Sequence, residues 1–96
     1  MKFAAVIEYL QEPEKVNAVR PAHRQYLLDL KARGQLAATG PFTDGSGALI
    51  IYEAADAKEA EQLLQGDPFS KNGIFVSYVL RPWSPVFADR ELFPAA

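Results

Sequence analysis

Strand-like runs and helically spaced stretches follow one another in this chain in a fixed order, and that order limits the fold more than any single residue does. Lys2–Tyr9 (KFAAVIEY) is short, apolar and β-compatible, with Val6, Ile7 and Tyr9 favouring a strand. Gln11–Val19 is polar, and Pro13 opens one loose helical turn within it. The first long helix is expected from Pro21, a residue suited to the first helical position. From there Ala22–Arg33 carries His23, Tyr26, Leu27 and Leu30 at helical spacing, and Gly34 ends it. Gln35–Phe42 reads as the second strand, Thr43–Gly47 (TDGSG) as a hairpin turn, and Ala48–Glu53 as the third strand. Asp56 is placed to cap a second helix whose Ala57, Ala60, Leu63 and Leu64 form an apolar stripe ending near Gly66. Asp67-Pro68-Phe69 follows as a turn or a short extra helical turn, and Ile74–Arg81 is the fourth strand.

The order is therefore β-α-β-β-α-β. Right-handed crossovers turn it into an α+β, ferredoxin-like fold: a four-stranded antiparallel sheet with both helices on one face. The other face then needs a cover. Strict alternation puts Ile74, Val76, Tyr78 and Leu80 on one side of the fourth strand and Phe75 and Val79 on the other. The third strand is likewise apolar on both sides, with Ile50 and Tyr52 opposite Leu49 and Ile51. Neither strand has the wet face of a half-exposed sheet. The 96 residues are read as one domain, 1–96, with an extended C-terminal tail over 83–96 that holds Trp83, Phe87, Leu92 and Phe93. A domain of this size buries only a little over ~60% of the surface its unfolded chain exposes. Pairing of two open sheet faces in a homodimer is the simplest way to cover the apolar side and add stability.

Charge and composition narrow the partners. Ten Lys and Arg against twelve Asp and Glu leave a net charge of −2, too little basic charge for phosphate contacts along a nucleic acid. No apolar run approaches the ~18–20 residues of a membrane span. The N-terminus enters a strand pattern at once, without the features of a signal peptide, so the expected address is cytoplasmic. The absence of cysteine removes disulfides, thiol nucleophiles and thiolate metal ligands, and a single histidine argues against a transition-metal site.

The topology brings distant residues to one end of the domain. If the first strand runs upward, the first helix starts and the second strand ends at the top, where the second helix also ends and the fourth strand begins. Tyr9, Arg20, His23, Gly40-Pro41-Phe42 and Asp67-Pro68-Phe69 gather there. His23 lies four residues before Leu27 and seven before Leu30, so it points with the buried stripe toward the sheet. An imidazole there, within reach of the Asp67 carboxylate, has the makings of an acid/base dyad. Plainer readings stand beside this one: His23 as a satisfied core residue, Asp67 as the cap of the next turn, and Arg20 as a solvated loop charge. Asp44-Gly45-Ser46-Gly47 reads as a β-turn, since no strand-turn-helix surrounds it.

Arg20-Pro21-Ala22-His23, Tyr26-Leu27, Gly34, Gly40-Pro41, Asp67-Pro68-Phe69 and Val79-Leu80-Arg81-Pro82-Trp83, in this order and spacing, resemble the YCII-related family over nearly the whole chain. The resemblance implies a ferredoxin-like fold that dimerises into an α/β barrel, similar to that of muconolactone isomerases. It also implies a His–Asp catalytic pair, which falls here on His23 and Asp67. The expected function is then a cofactor-free lyase or isomerase, dehydrochlorinase-like or muconolactone-isomerase-like, acting on a small oxygenated cyclic or aromatic substrate. His23 would move the proton, Asp67 would orient its ring, and Arg20 would hold an anionic oxygen. Tyr9, Phe42 and Phe69 would wall the pocket, and Gly40 would let the backbone approach a bound molecule. A non-catalytic binding or sensing module with the same pocket is the alternative, because the fold serves both uses.

Overall fold

The computed structural model describes residues 1–94. The chain forms β1 (Lys2–Tyr9), α1 (Pro13–Ala32), β2 (Leu36–Pro41), β3 (Gly47–Glu53), α2 (Ala57–Gln65), a short α3 (Pro68–Lys71), β4 (Phe75–Trp83) and a final 3₁₀ turn, Arg90–Leu92. The four strands lie in the order β2-β3-β1-β4, every neighbouring pair antiparallel. This is the ferredoxin-like α+β arrangement. Phe3, Ala5, Ile7 and Tyr9 alternate along β1 into the core: Ala5, Ile7 and Tyr9 share a cluster with Ile50 and Tyr52 of β3, Leu27 and Leu30 of α1, and Leu64 of α2, while Phe3 packs in a smaller one with Ala54 and Ala60.

Local chemistry explains most element ends. The Asp56 carboxylate accepts the Glu59 amide at 2.8 Å and starts α2. Gly34, at φ +73°, lets α1 stop in a Schellman turn: its own amide reaches the Lys31 carbonyl, and the Gln35 amide reaches that of Leu30. In the β2–β3 hairpin Asp44 accepts from the Ser46 amide, and Gly45 takes the left-handed position at φ +78°.

Three sequence expectations shift. The first helix begins at Pro13 rather than Pro21, and the loose turn before Pro21 is its first half. Val16 is buried and Val19 partly buried, so a stripe of 16, 19, 23, 27 and 30 runs unbroken through the proline. Pro21 and Asn17 both lie on the exposed side, where water can serve the Asn17 carbonyl that loses its helical partner. The fourth strand extends through Pro82 and Trp83, which pair with Phe3 and Lys2. Proline fits there because β4 is an edge strand, and its missing N–H can face outward. The tail therefore starts one residue later than expected, at Ser84, and its last positions, 95 and 96, lie outside the described residues.

The third shift is a β-bulge. Glu8 pairs with Ser77 but Tyr9 pairs with Phe75, which leaves Val76 as the extra residue. Strict alternation fails at that point, and Phe75 joins Tyr78 and Leu80 on the helix-covered face instead of sharing a side with Val79. The opposite face is open. Val6 sits directly between Leu49 and Val79, and this apolar row is 38–53% exposed.

Candidate active site

His23 arrives on the buried stripe of α1, seven residues before the stripe passes fully beneath the core at Leu30 and one turn from Tyr26, whose hydroxyl donates to the Leu63 carbonyl of α2. Asp67 follows Gly66, the residue that ends α2, and Pro68 opens α3 immediately after it. The two side chains meet across 44 positions of sequence. His23 Nδ1 lies 2.7 Å from Asp67 Oδ1 and 2.9 Å from Oδ2.

A carboxylate only accepts hydrogen bonds, so this contact places the ring hydrogen on Nδ1. Nε2 is then the nitrogen left to exchange a proton. It has no hydrogen-bond partner, yet it is not sealed: among the described residues only the Tyr52 hydroxyl is a fully buried side-chain polar atom without a partner. His23 itself is 6% exposed, so Nε2 looks out through a narrow opening.

Asp67 is wholly buried and does two jobs. Its Oδ1 also accepts the Phe69 amide at 2.8 Å, capping α3. The plain reading of this aspartate as a cap and the sharper reading as the partner of His23 both describe its geometry. The cap fixes the carboxylate's rotamer, and the fixed carboxylate in turn fixes the imidazole.

Aromatic rings complete the setting. Phe69 stacks on the imidazole, ring centres 3.8 Å apart and planes 8° from parallel. Phe75, turned inward by the bulge, meets the imidazole edge-on at 6.2 Å. Tyr9 packs edge-on to Phe69 at 5.4 Å and stacks with Phe75 at 6.1 Å. The Arg20 guanidinium lies 5.9 Å from the Phe69 ring centre, a cation–π distance, and makes no ion pair among the described residues. Burial pushes the Tyr9 phenol above its ordinary pKa; nearby Arg20 pulls it down and Asp67 pushes it up. Tyr9 thus senses both charges of the site.

Five of the residues singled out from sequence therefore come together: Tyr9, Arg20, His23, Asp67 and Phe69. Gly40 and Phe42 stand apart from this cluster. Gly40 pairs with Leu49, the residue beside Val6 in the open-face row, and a Cβ added to it would meet nothing within 4 Å. Phe42 lines a cleft of about 410 Å³ with Val6, Glu8, Ser46, Ser77 and Val79. A second cleft of similar volume lies at the other end of the sheet, around Met1, Glu53 and Trp83. Neither contains His23 or Asp67. The residue that sequence reading missed is Phe75. Its inward turn depends on a bulge that no residue type in Ile74–Arg81 announces. No group of three or more His, Cys, Asp or Glu side chains poised to hold a metal occurs among the described residues, and none of their helices is long and apolar enough to cross a membrane.

Comparison with known proteins places this geometry in a context. The family model for the YCII-related domain matches residues 1–84. No curated protein matches the sequence significantly. Among solved structures, the 5-chloro-2-hydroxyhydroquinone dehydrochlorinase of Burkholderia phenoliruptrix AC1100, in complex with 2,5-dihydroxybenzoquinone, is similar to this chain. The identity is 26% and the TM-score 0.76, over 88% of this chain and 94% of that one.

Proposed function

Since this chain belongs to the YCII-related family, we propose that it is a cofactor-free lyase or isomerase that moves a proton on a small oxygenated cyclic or aromatic substrate. The observation that carries this reading is the buried His23–Asp67 pair, with Nδ1 held at 2.7 Å and Nε2 left without a partner. In this reading Nε2 takes a proton from a ring carbon or hydroxyl of the substrate. For a chlorinated hydroquinone, the hydroxyl proton is returned at the chlorine-bearing carbon to give a keto tautomer; loss of a second hydroxyl proton then forms the other carbonyl and expels chloride, so that one proton and the chloride leave as HCl. For an isomerisation, His23 returns the proton at another atom. Asp67 stabilises the imidazolium formed in between and prevents the ring from turning. Arg20 holds an anionic oxygen, the buried Phe69 backs the imidazole ring, Phe75 presents flat apolar surface, and Tyr9 closes the far side.

The similarity to a dehydrochlorinase bound to a dihydroxybenzoquinone supports hydroxylated quinones and hydroquinones as the substrate class to try first. The same reading includes a homodimer formed through the open face, motivated by the exposed row Val6, Leu49 and Val79. Gly40 and the Phe42 cleft belong with that open face, so their contribution to a substrate pocket depends on assembly.

The test is incubation of wild type and His23→Ala with chlorinated hydroxyhydroquinones, following chloride release, and with 2,5-dihydroxybenzoquinone, following the thermal shift. A positioned proton-transfer group contributes ~10²–10⁴-fold in rate, and His23→Ala should lose that much while remaining folded. Wild type that binds the quinone but alters no member of the series would instead identify a binding or sensing module. Equal turnover by wild type and His23→Ala would remove the histidine from the mechanism.

A further inference from the structure

The segment after β4 presents an anomaly of a different kind. Val86, Phe87, Leu92 and Phe93 are 62–95% exposed, with Phe87 the most exposed at 95%. A phenyl ring left in water forfeits the stabilisation of burial, and four large apolar side chains within eight positions form a surface that calls for a partner. The family match stops at residue 84, so likeness to the family does not account for this segment. The same chain carries a partly apolar cleft of about 410 Å³, where Phe42, Val6 and Val79 stand beside Glu8, Ser46 and Ser77, large enough to take a phenyl ring.

Phe87 does not reach the cleft of its own subunit. The segment leaves β4 at Trp83, opposite Lys2, while the far side of the cleft is formed by Glu8 and Ser77. Those positions lie six residues up the strand, ~20 Å at ~3.3 Å per residue. Doubling back would use Ser84, Pro85 and Val86 for the reversal, yet Pro85 biases Ser84 to an extended conformation and residues 84–89 contain neither turn nor helix. A second copy solves this geometry in one arrangement only. When two open faces pair about an axis parallel to the strands, like ends meet, and each Phe87 stays far from either cleft. When the axis runs across the strands, the Trp83 end of one sheet lies over the Ser77 end of the other.

We propose that the dimer uses this second arrangement and that Phe87 of each subunit seats in the Phe42 cleft of the other, making the segment after Trp83 an exchanged arm. The contact is isologous and closed, so it adds two aromatic anchors to one interface without propagating into a filament. It rests on the homodimer proposed above and goes beyond it by naming the strand orientation and the anchoring residue.

The absence of native cysteine makes the test clean. Full-length Phe42→Cys and Phe87→Cys proteins, both altered at side chains with substantial exposure, are mixed and mildly oxidised, with Lys58→Cys on α2 replacing Phe87→Cys as a control. A mixed disulfide between the two single variants, forming faster than with the control, is the expected result. Phe87→Ser should in addition weaken the dimer at least about tenfold, measured by light scattering on dilution. A dimer that persists without mixed disulfide, or a Phe42→Cys, Phe87→Cys double variant that closes within one chain, would overturn the exchanged arm and leave the homodimer standing. A wild type that scatters as a monomer would overturn both.

Discussion

Asp67 caps α3 and orients His23 with the same carboxylate, so two substitutions separate the roles. Asp67→Ala removes the acceptor of the Phe69 amide at 2.8 Å and the acceptor of His23 Nδ1 at 2.7 Å. Losing a side-chain N-cap costs about 1 kcal/mol. Leaving the buried imidazole N–H unpaired costs a further ~1–3 kcal/mol. The expected loss is therefore about 2–4 kcal/mol, which for a domain near 100 residues lowers Tm by on the order of 10–30 °C. Asp67→Asn keeps an oxygen for the Phe69 amide but sets an N–H₂ group against Nδ1–H where Oδ2 stood 2.9 Å away. Its loss should be about 1 kcal/mol smaller, because the cap survives. Urea and thermal unfolding of wild type, Asp67→Asn and Asp67→Ala give both differences directly. Equal stability of the two variants would refute the cap. Losses under ~0.5 kcal/mol in both would refute the coupling of cap and pair altogether. Turnover should fall in both variants, since neither offers Nδ1 a carboxylate.

The Tyr52 hydroxyl is buried without a protein partner, and burial, reinforced by the charge of Asp67, pushes its phenol far above the usual range. Tyr52→Phe should raise stability by about 1 kcal/mol, because a desolvated unpaired hydroxyl is removed; a lower Tm would mean that the hydroxyl is bonded. Glu53 joins the Met1 amino group and Lys2 at 2.6 and 2.8 Å. These bonds, that to Lys2 first, hold its carboxyl down from 4.5 to about 2. A depressed folded pKa stabilises above the unfolded value, so this contribution is intact above pH 4.5 and disappears as pH falls toward 2. Glu53→Gln should flatten the stability profile in that window and leave it unchanged in shape near neutrality, as read from urea midpoints against pH. The exposed position of the pair keeps the effect small and salt-sensitive.

Much of this molecule is legible in its sequence because the determinants are local. Strand runs, the Asp56 cap and the Gly34 stop each act within a few residues, and together they dictate the antiparallel sheet and its crossovers. The meeting of His23 and Asp67 follows from topology, since both lie where elements turn at one end of the sheet. The start of α1 was obscured by Pro21, whose local preference yields to burial of Val16 and Val19; the continuous stripe through 16, 19 and 23 was the available signal. Topology alone assigns Phe42 and Gly40 to the His23 end of the sheet, but end alone does not specify face. The inward turn of Phe75 depends on how β4 pairs with β1 near Tyr9, a long-range fact that no window of sequence contains.

That bulge ties together two properties that substitutions could otherwise vary independently. Pairing at full length without the bulge would set Val76 opposite Tyr9 and restore two-residue alternation through the start of β4. Phe75 would then turn from the imidazole to the open face, and Val76 would take its place beside the histidine. A register shift of one residue would thus strip a ring from the site and add one to the exposed apolar face. Strand pairing here is consequently constrained from both sides at once: a shift that changes the open face alters the surroundings of His23, and one that changes those surroundings alters the open face.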